Sequence, residues 1–279
     1  MASETDAYSS RFLIAVACAQ ARSIASRVHR LRWVCSVLLL TTGVVLLVID
    51  LSGCAKHRLP GGLAKLKWCR LARIDEQLLC GKFRVFENRR THTGRTIDLN
   101  IVVLPALDQK TKTEPMFDLA GGPGAASTGA AAFYATEGKE YRRRHDVVLV
   151  DQRGTGNSNR LSIPQEKTPQ SDLREMYPVD YVTRMRDVLQ KHADLTQYTT
   201  SIAMDDLDDV RAWLGYNRVN LFGLSYGTRS ALVYLRQHPE HVRTITLFGV
   251  APTYLRMPMY HAQSAERAMD LLLWECEQD

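Results

Sequence analysis

The sequence has little metal-binding or nucleic-acid character. Its six cysteines contain no C-x-x-C pair and its eight histidines form no cluster along the chain, so the usual metal-ligand spacings are missing. Lys and Arg exceed Asp and Glu by only six, 36 against 30. The first 53 residues hold five arginines against Glu4, Asp6 and Asp50, which leaves an excess of four for the rest. No basic stripe of nucleic-acid type results, and Arg142-Arg143-Arg144 reads as a solvated loop before a strand. No internal repeat is present, and only one long uncharged apolar run occurs, Val34 to Ile49. No cofactor is implied.

What the sequence does have is Gly223-Leu224-Ser225-Tyr226-Gly227, placed between a strand-like run, Val219 to Gly223, and a helix-like run, Thr228 to Gln237. A serine at such a junction sits in a strained turn that lifts its hydroxyl above the sheet. Ser225 is therefore the candidate nucleophile. Upstream, Met116-Phe117-Asp118-Leu119 runs into Ala120-Gly121-Gly122-Pro123-Gly124. Acyl transfer through serine needs backbone N–H donors aimed at the developing oxyanion, and glycine lets the main chain approach closely enough. The expected donors are the amide of Tyr226 and that of Gly121 or Gly122. Between these elements lies Val147-Val148-Leu149-Val150, a strand buried on both faces, followed by Asp151-Gln152-Arg153-Gly154-Thr155-Gly156. Its loop belongs on the same sheet edge as Ser225.

Strands are expected near Gly81 to Phe86, Thr96 to Leu104, Pro115 to Leu119, Asp146 to Val150, Val219 to Gly223 and Thr244 to Val250. Helices are expected over Ser201 to Leu214 and Thr228 to His238. Alternation of strands and helices implies crossover units and a mostly parallel sheet with an antiparallel first hairpin, an α/β class with the site at the carboxyl ends of the strands.

The glycine turn, the Asp151 to Gly156 loop and the Gly223 to Thr228 elbow, in this order, resemble the proline iminopeptidase and tripeptidyl aminopeptidase branch of the α/β-hydrolase superfamily. Thr200-Ser201-Ile202-Ala203 with Asp206-Leu207-Asp208-Asp209-Val210-Arg211 is similar to that branch's helix before the nucleophile strand. The resemblance spans about Cys80 to Pro252. It implies an α/β-hydrolase fold and hydrolysis of an amide or ester through an acyl-enzyme on Ser225, often at a peptide's free N-terminus. The substrate is then a peptide or a small acyl compound. An esterase or lipase, or a non-catalytic hydrolase-like remnant, is the alternative.

In this superfamily the triad follows the order Ser, Asp or Glu, His. Beyond Ser225 stand only His238, His241 and His261. The first two read as surface residues at the end of the helix after the nucleophile, and His261 lies on a helix entering a cap. The triad Asp and His are thus not found in this chain, which reads as an N-terminal part truncated before the last strands, with its acid and base lost or on a separate polypeptide. Phe248 stands where the resembling branch carries an acidic residue, and an unpaired Cys276 is a further expected sign of truncation.

The N-terminus reads as a leader or membrane anchor, 1–53. The apolar run follows Arg22, Arg27, Arg30 and Arg32 and ends at Leu51-Ser52-Gly53-Cys54, which matches the bacterial lipoprotein box. Lipidation at Cys54 and a cell-envelope location follow as expectations, with an uncleaved anchor as the alternative. Cys69 and Cys80 are placed to form a small loop-closing disulfide in an oxidising compartment. The domains expected after the leader are a linker, 54–80, an incomplete α/β-hydrolase core, 81–256, and the start of a cap, 257–279.

Overall fold

The computed structural model describes residues 61–163, 178–256 and 259–278. The leader and Cys54 lie outside the described residues. The described part falls within one compact unit, 58–279.

Seven strands form one sheet in the order β1-β2-β3-β5-β4-β6-β7. They are β1 (Lys67–Cys69), β2 (Leu78–Phe86), β3 (Thr96–Leu104), β4 (Met116–Leu119), β5 (Val147–Val150), β6 (Val219–Leu224) and β7 (Val242–Phe248). β1, β2, β3 and β5 are joined by antiparallel ladders, while β5, β4, β6 and β7 run parallel to one another. The helices are α1 (Ala131–Ala135), α2 (Val179–Leu189), α3 (Thr200–Trp213), α4 (Tyr226–Gln237) and α5 (His261–Gln278). α1, on the β4-to-β5 connection, packs on one face with Met116, Val147 and Leu149. α3 and α4, on the β5-to-β6 and β6-to-β7 connections, pack on the other with Phe117, Val148 and Leu221. Because right-handed crossovers send the chain left after β4 and right after β6, the loops at the ends of these two neighbours part company there. A crevice at the carboxyl ends of a parallel sheet forms at such a switch point.

The sequence reading needs several corrections. The described part of the segment read as a linker carries a 3-10 turn (Gly61–Lys65) and the edge strand β1, while the disulfide expected between Cys69 and Cys80 is present and joins β1 to β2. Helices α1 and α2 were not anticipated. Arg142 is not solvated: it is buried, donates twice to the Pro105 carbonyl and pairs with Glu76. The guanidinium is tolerated inside because its donors are matched. Cys276 is exposed and free on α5. Among the described residues no helix is long and apolar enough to cross a membrane.

Candidate active site

Ser225 stands between β6 and α4 with φ 53° and ψ −118°. A non-glycine residue with positive φ is uncommon and is held there only when its surroundings over-determine it. Here they do. The Ser225 amide donates to the Phe248 carbonyl at 2.8 Å, which ties the elbow to the end of β7. Thr228 Oγ1 donates to the Ser225 carbonyl at 2.6 Å and accepts from the Ala251 amide at 2.7 Å. The flanking glycines are required by space. A Cβ on Gly227 would stand 1.8 Å from the Leu119 carbonyl oxygen, and one on Gly223 would stand 2.6 Å from that of Gly227. Removing the side chains lets α4 start directly against the end of β4.

That contact brings the two separate motifs together. A Cβ on Gly121 would meet the Leu224 carbonyl oxygen at 3.1 Å and the Ser225 Cβ at 3.3 Å, so the glycine turn lies against the elbow. Gly122 has φ 111° and precedes a cis peptide to Pro123. The turn is fixed from behind, where Ser127 Oγ accepts from the Ala120 amide at 3.2 Å. None of the amides of Gly121, Gly122 and Tyr226 donates to a backbone acceptor among the described residues. An N–H at a helix start or glycine turn that lacks an internal partner is suited to an oxyanion.

The Asp151 to Gly156 loop buttresses this edge. Asp151 is fully buried, and its carboxylate accepts from the Thr128 amide and hydroxyl, Asn100 Nδ2 and the Asn157 amide, all at 3.0–3.1 Å. Arg153 pairs with Asp206 of α3 through Nε and a terminal nitrogen at 2.6 and 2.8 Å, and also donates to the carbonyls of Phe86, Glu87 and Gln197. Burial pushes the Asp206 carboxyl up despite the Arg153 and Arg89 guanidinia that oppose the shift. A cleft of about 230 Å³ opens beside the glycine turn, with Pro123, Gln152, Tyr198 and Tyr226 among its walls. Tyr226 Oη and Thr200 Oγ1 are 2.5 Å apart at its edge.

No histidine among the described residues is hydrogen-bonded to Ser225. His238 and His241 lie at the far end of α4, about 18 Å along a helix of this length. They are not the loose surface residues expected from the sequence. His238 Nε2 lies 3.0 Å from Asp205, and His241 Nδ1 lies 2.8 Å from Asp208. The fold thus gathers Asp208, His238 and His241 with ligand atoms within 4.8 Å of one another, although they are not a tract in the sequence. Arg211 already supplies the cation, pairing with Asp208 through two nitrogens at 2.7 and 3.2 Å. Asp208 is held down at about 2, its burial outweighed by Arg211 and Tyr234. His261 is exposed on α5.

Asp118 is a polar group that sequence reasoning passed over as part of an apolar strand. It sits on β4 two residues before Ala120, 8 % exposed, and burial pushes its carboxyl up to about 6 against the opposing influence of the Tyr134 hydroxyl.

An elbow serine facing a glycine turn, at the switch point of a sheet whose strands alternate with helices, is the architecture of an α/β hydrolase. The chain belongs to the α/β hydrolase fold family, whose model matches residues 119–274. It is 28 % identical to the serine protease Hip1 of Mycobacterium tuberculosis over 254 residues, 80 % of this chain and 48 % of that protein. It is 33 % identical over 150 residues to the tripeptidyl aminopeptidase of Streptomyces lividans, covering 47 % of this chain and 27 % of the relative. With the proline iminopeptidase of Xylella fastidiosa strain 9a5c it shares 30 % over 142 residues, 49 % of this chain and 32 % of the other. The chain spans less than half the length of each of these relatives. The names agree with the branch that the motifs resembled.

Proposed function

We propose that this chain carries the nucleophile and oxyanion half of a serine hydrolase that acts on peptide N-termini or related amides and esters. Ser225 is the nucleophile in this reading, and the amides of Tyr226 and of Gly121 or Gly122 receive the oxyanion. The observation that carries it is the strained Ser225 backbone, fixed by the Phe248 carbonyl and Thr228 and pressed against Gly121. Attack on an acyl carbon would join Ser225 Oγ to that carbon, place negative charge on its oxygen between those amides, and expel the amine or alcohol once protonated. The serine proton needs an acceptor, and no described histidine meets Ser225. The base is therefore assigned to residues outside the described part or to a second polypeptide. The peptide class is supported by the names of the relatives, a tripeptidyl aminopeptidase and a proline iminopeptidase among them.

A non-catalytic hydrolase-like protein is the second reading, favoured by the distance of His238 and His241 from the elbow. Treatment with a fluorophosphonate, followed by peptide mapping, separates the two. A slow adduct on Ser225 that disappears in Ser225→Ala supports the nucleophile. Adducts elsewhere, or none after prolonged exposure, support the non-catalytic reading. The bacterial cell envelope is the proposed location, on the strength of the arginine-preceded apolar run and the box at Cys54.

A further inference from the structure

The cleft beside the glycine turn has a charge balance that constrains what it can hold. Its one charged lining residue is Arg153, which on sequence grounds would make it a site for a carboxylate or phosphate. The structure removes that option. The Arg153 side chain is 1 % exposed and ion-paired to Asp206. Beneath the cleft, Arg89 pairs with Asp206 and Asp209, and Arg95 pairs with Glu87. Three guanidinia thus face three carboxylates, and none of these six groups is left free to attract an ion. The neighbouring Asp151 spends its oxygens on four donors of its own. The Tyr198 hydroxyl donates to Glu87 at 2.8 Å and accepts from Asn159 at 2.6 Å, which turns its ring into a fixed wall.

What remains is uncharged, partly apolar and partly polar. Pro123, Leu161, Tyr198 and Tyr226 provide surface, and Gln152 is half-buried with its side-chain amide unpaired among the described residues. A primary amide offers two N–H donors and one carbonyl acceptor, the complement of a peptide group. The volume of about 230 Å³ equals roughly eight waters at ~30 Å³ each, a space suited to one residue.

We propose that this cleft is the subsite for one uncharged residue of the substrate and that Gln152 is the contact that sets its specificity. The assignment rests on the reading of Ser225 as nucleophile, because the cleft adjoins the elbow through Tyr226 and the glycine turn through Pro123 and Gly124. A charged side chain entering it would lose hydration without gaining a partner, which disfavours it strongly.

The experiment measures binding in the full chain carrying Ser225→Ala, so that it does not depend on turnover. Ligand-observed NMR titrations compare N-acetyl-leucine amide, N-acetyl-lysine amide and N-acetyl-glutamate amide. The neutral compound is expected to bind at least about tenfold more tightly than either charged one. Gln152→Glu should weaken the neutral ligand and bring the lysine compound to equal or higher affinity, with an unchanged circular dichroism spectrum. If that variant fails to fold, Gln152→Leu replaces it and should weaken the neutral ligand. Equal affinities for all three, no binding of any, or a preference that both variants leave unchanged would overturn the proposal. If fluorophosphonate labels Ser225 while the preference is missing, only the subsite falls. If the preference is present while Ser225 never labels, the cleft stands as a binding site and the nucleophile falls.

Discussion

Arg153 and Asp206 form a two-pronged ion pair, Nε to Oδ2 at 2.6 Å and a terminal nitrogen to Oδ1 at 2.8 Å, with side chains 1 % and 3 % exposed. It joins the loop after β5 to α3, and so holds one wall of the cleft to the helix that packs on α4. Removing Arg153 leaves Asp206 with Arg89 as its remaining partner at 2.9 Å, so the expected cost is that of lost charged hydrogen bonds, roughly 2–3 kcal/mol, and not that of an unpaired buried charge. Arg153→Met is therefore expected to lower stability by that amount in urea denaturation, and Arg153→Met with Asp206→Leu to recover part of the loss. A single variant within about 0.5 kcal/mol of the parent would contradict a structural role for the pair.

Gly227 supplies a steric test of the elbow. A methyl group there would lie 1.8 Å from the Leu119 carbonyl, and backbone on both sides leaves little room to relax. Gly227→Ala should cost about 3 kcal/mol or more, read from the denaturation midpoint, whereas Gly94→Ala, at a site with nothing within 4 Å but φ 82°, should cost less.

Asp118 gives a pH test whose sign is fixed. Its folded carboxyl is raised to about 6 by burial, above the unfolded value near 4, so between these values the native state holds the extra proton. Stability from this group is therefore full at low pH and is lost as pH rises from about 4 to about 6. The two-unit shift corresponds to a loss on the order of 3 kcal/mol. Asp118→Asn should remove that slope, seen as a difference between the stability profiles of parent and variant. Parallel profiles would show that the carboxyl does not titrate in the folded chain.

The lipoprotein box makes a separate prediction. Cys54→Ser should abolish incorporation of labelled palmitate and leave the precursor uncleaved. Equal labelling of parent and variant would favour an uncleaved anchor.

Much of this geometry could be read from short-range pattern. The apolar run Val147-Val148-Leu149-Val150 and the mostly apolar run Val219-Asn220-Leu221-Phe222 became parallel strands because they are buried on both faces. The glycines around Ser225 announced close backbone contact, and the structure shows which backbone they contact. Less legible was β1, whose three residues Lys67, Trp68 and Cys69 are largely exposed and gain their place from pairing with β2 and the disulfide. Helix α2 has apolar residues at helical spacing, Val182, Met185 and Leu189, but buries none of its residues, so packing against the core does not define it. The union of Arg153, Asp206 and Arg89, and of His238, His241 and Asp208, brings together residues far apart in sequence. Single-residue patterns carry no record of such pairing.

The proposed nucleophile and oxyanion donors lie together at the elbow, and among the described residues no histidine is hydrogen-bonded to Ser225. The most direct measurement is Ser225-dependent hydrolysis of aminoacyl chromogenic substrates by the 279-residue chain alone. An un-ionised serine without a general base gives only a small residual acceleration. The account predicts turnover at or barely above the Ser225→Ala background. Rapid turnover abolished by Ser225→Ala would contradict it and show that the chain holds its own base, with His261 the first residue to replace.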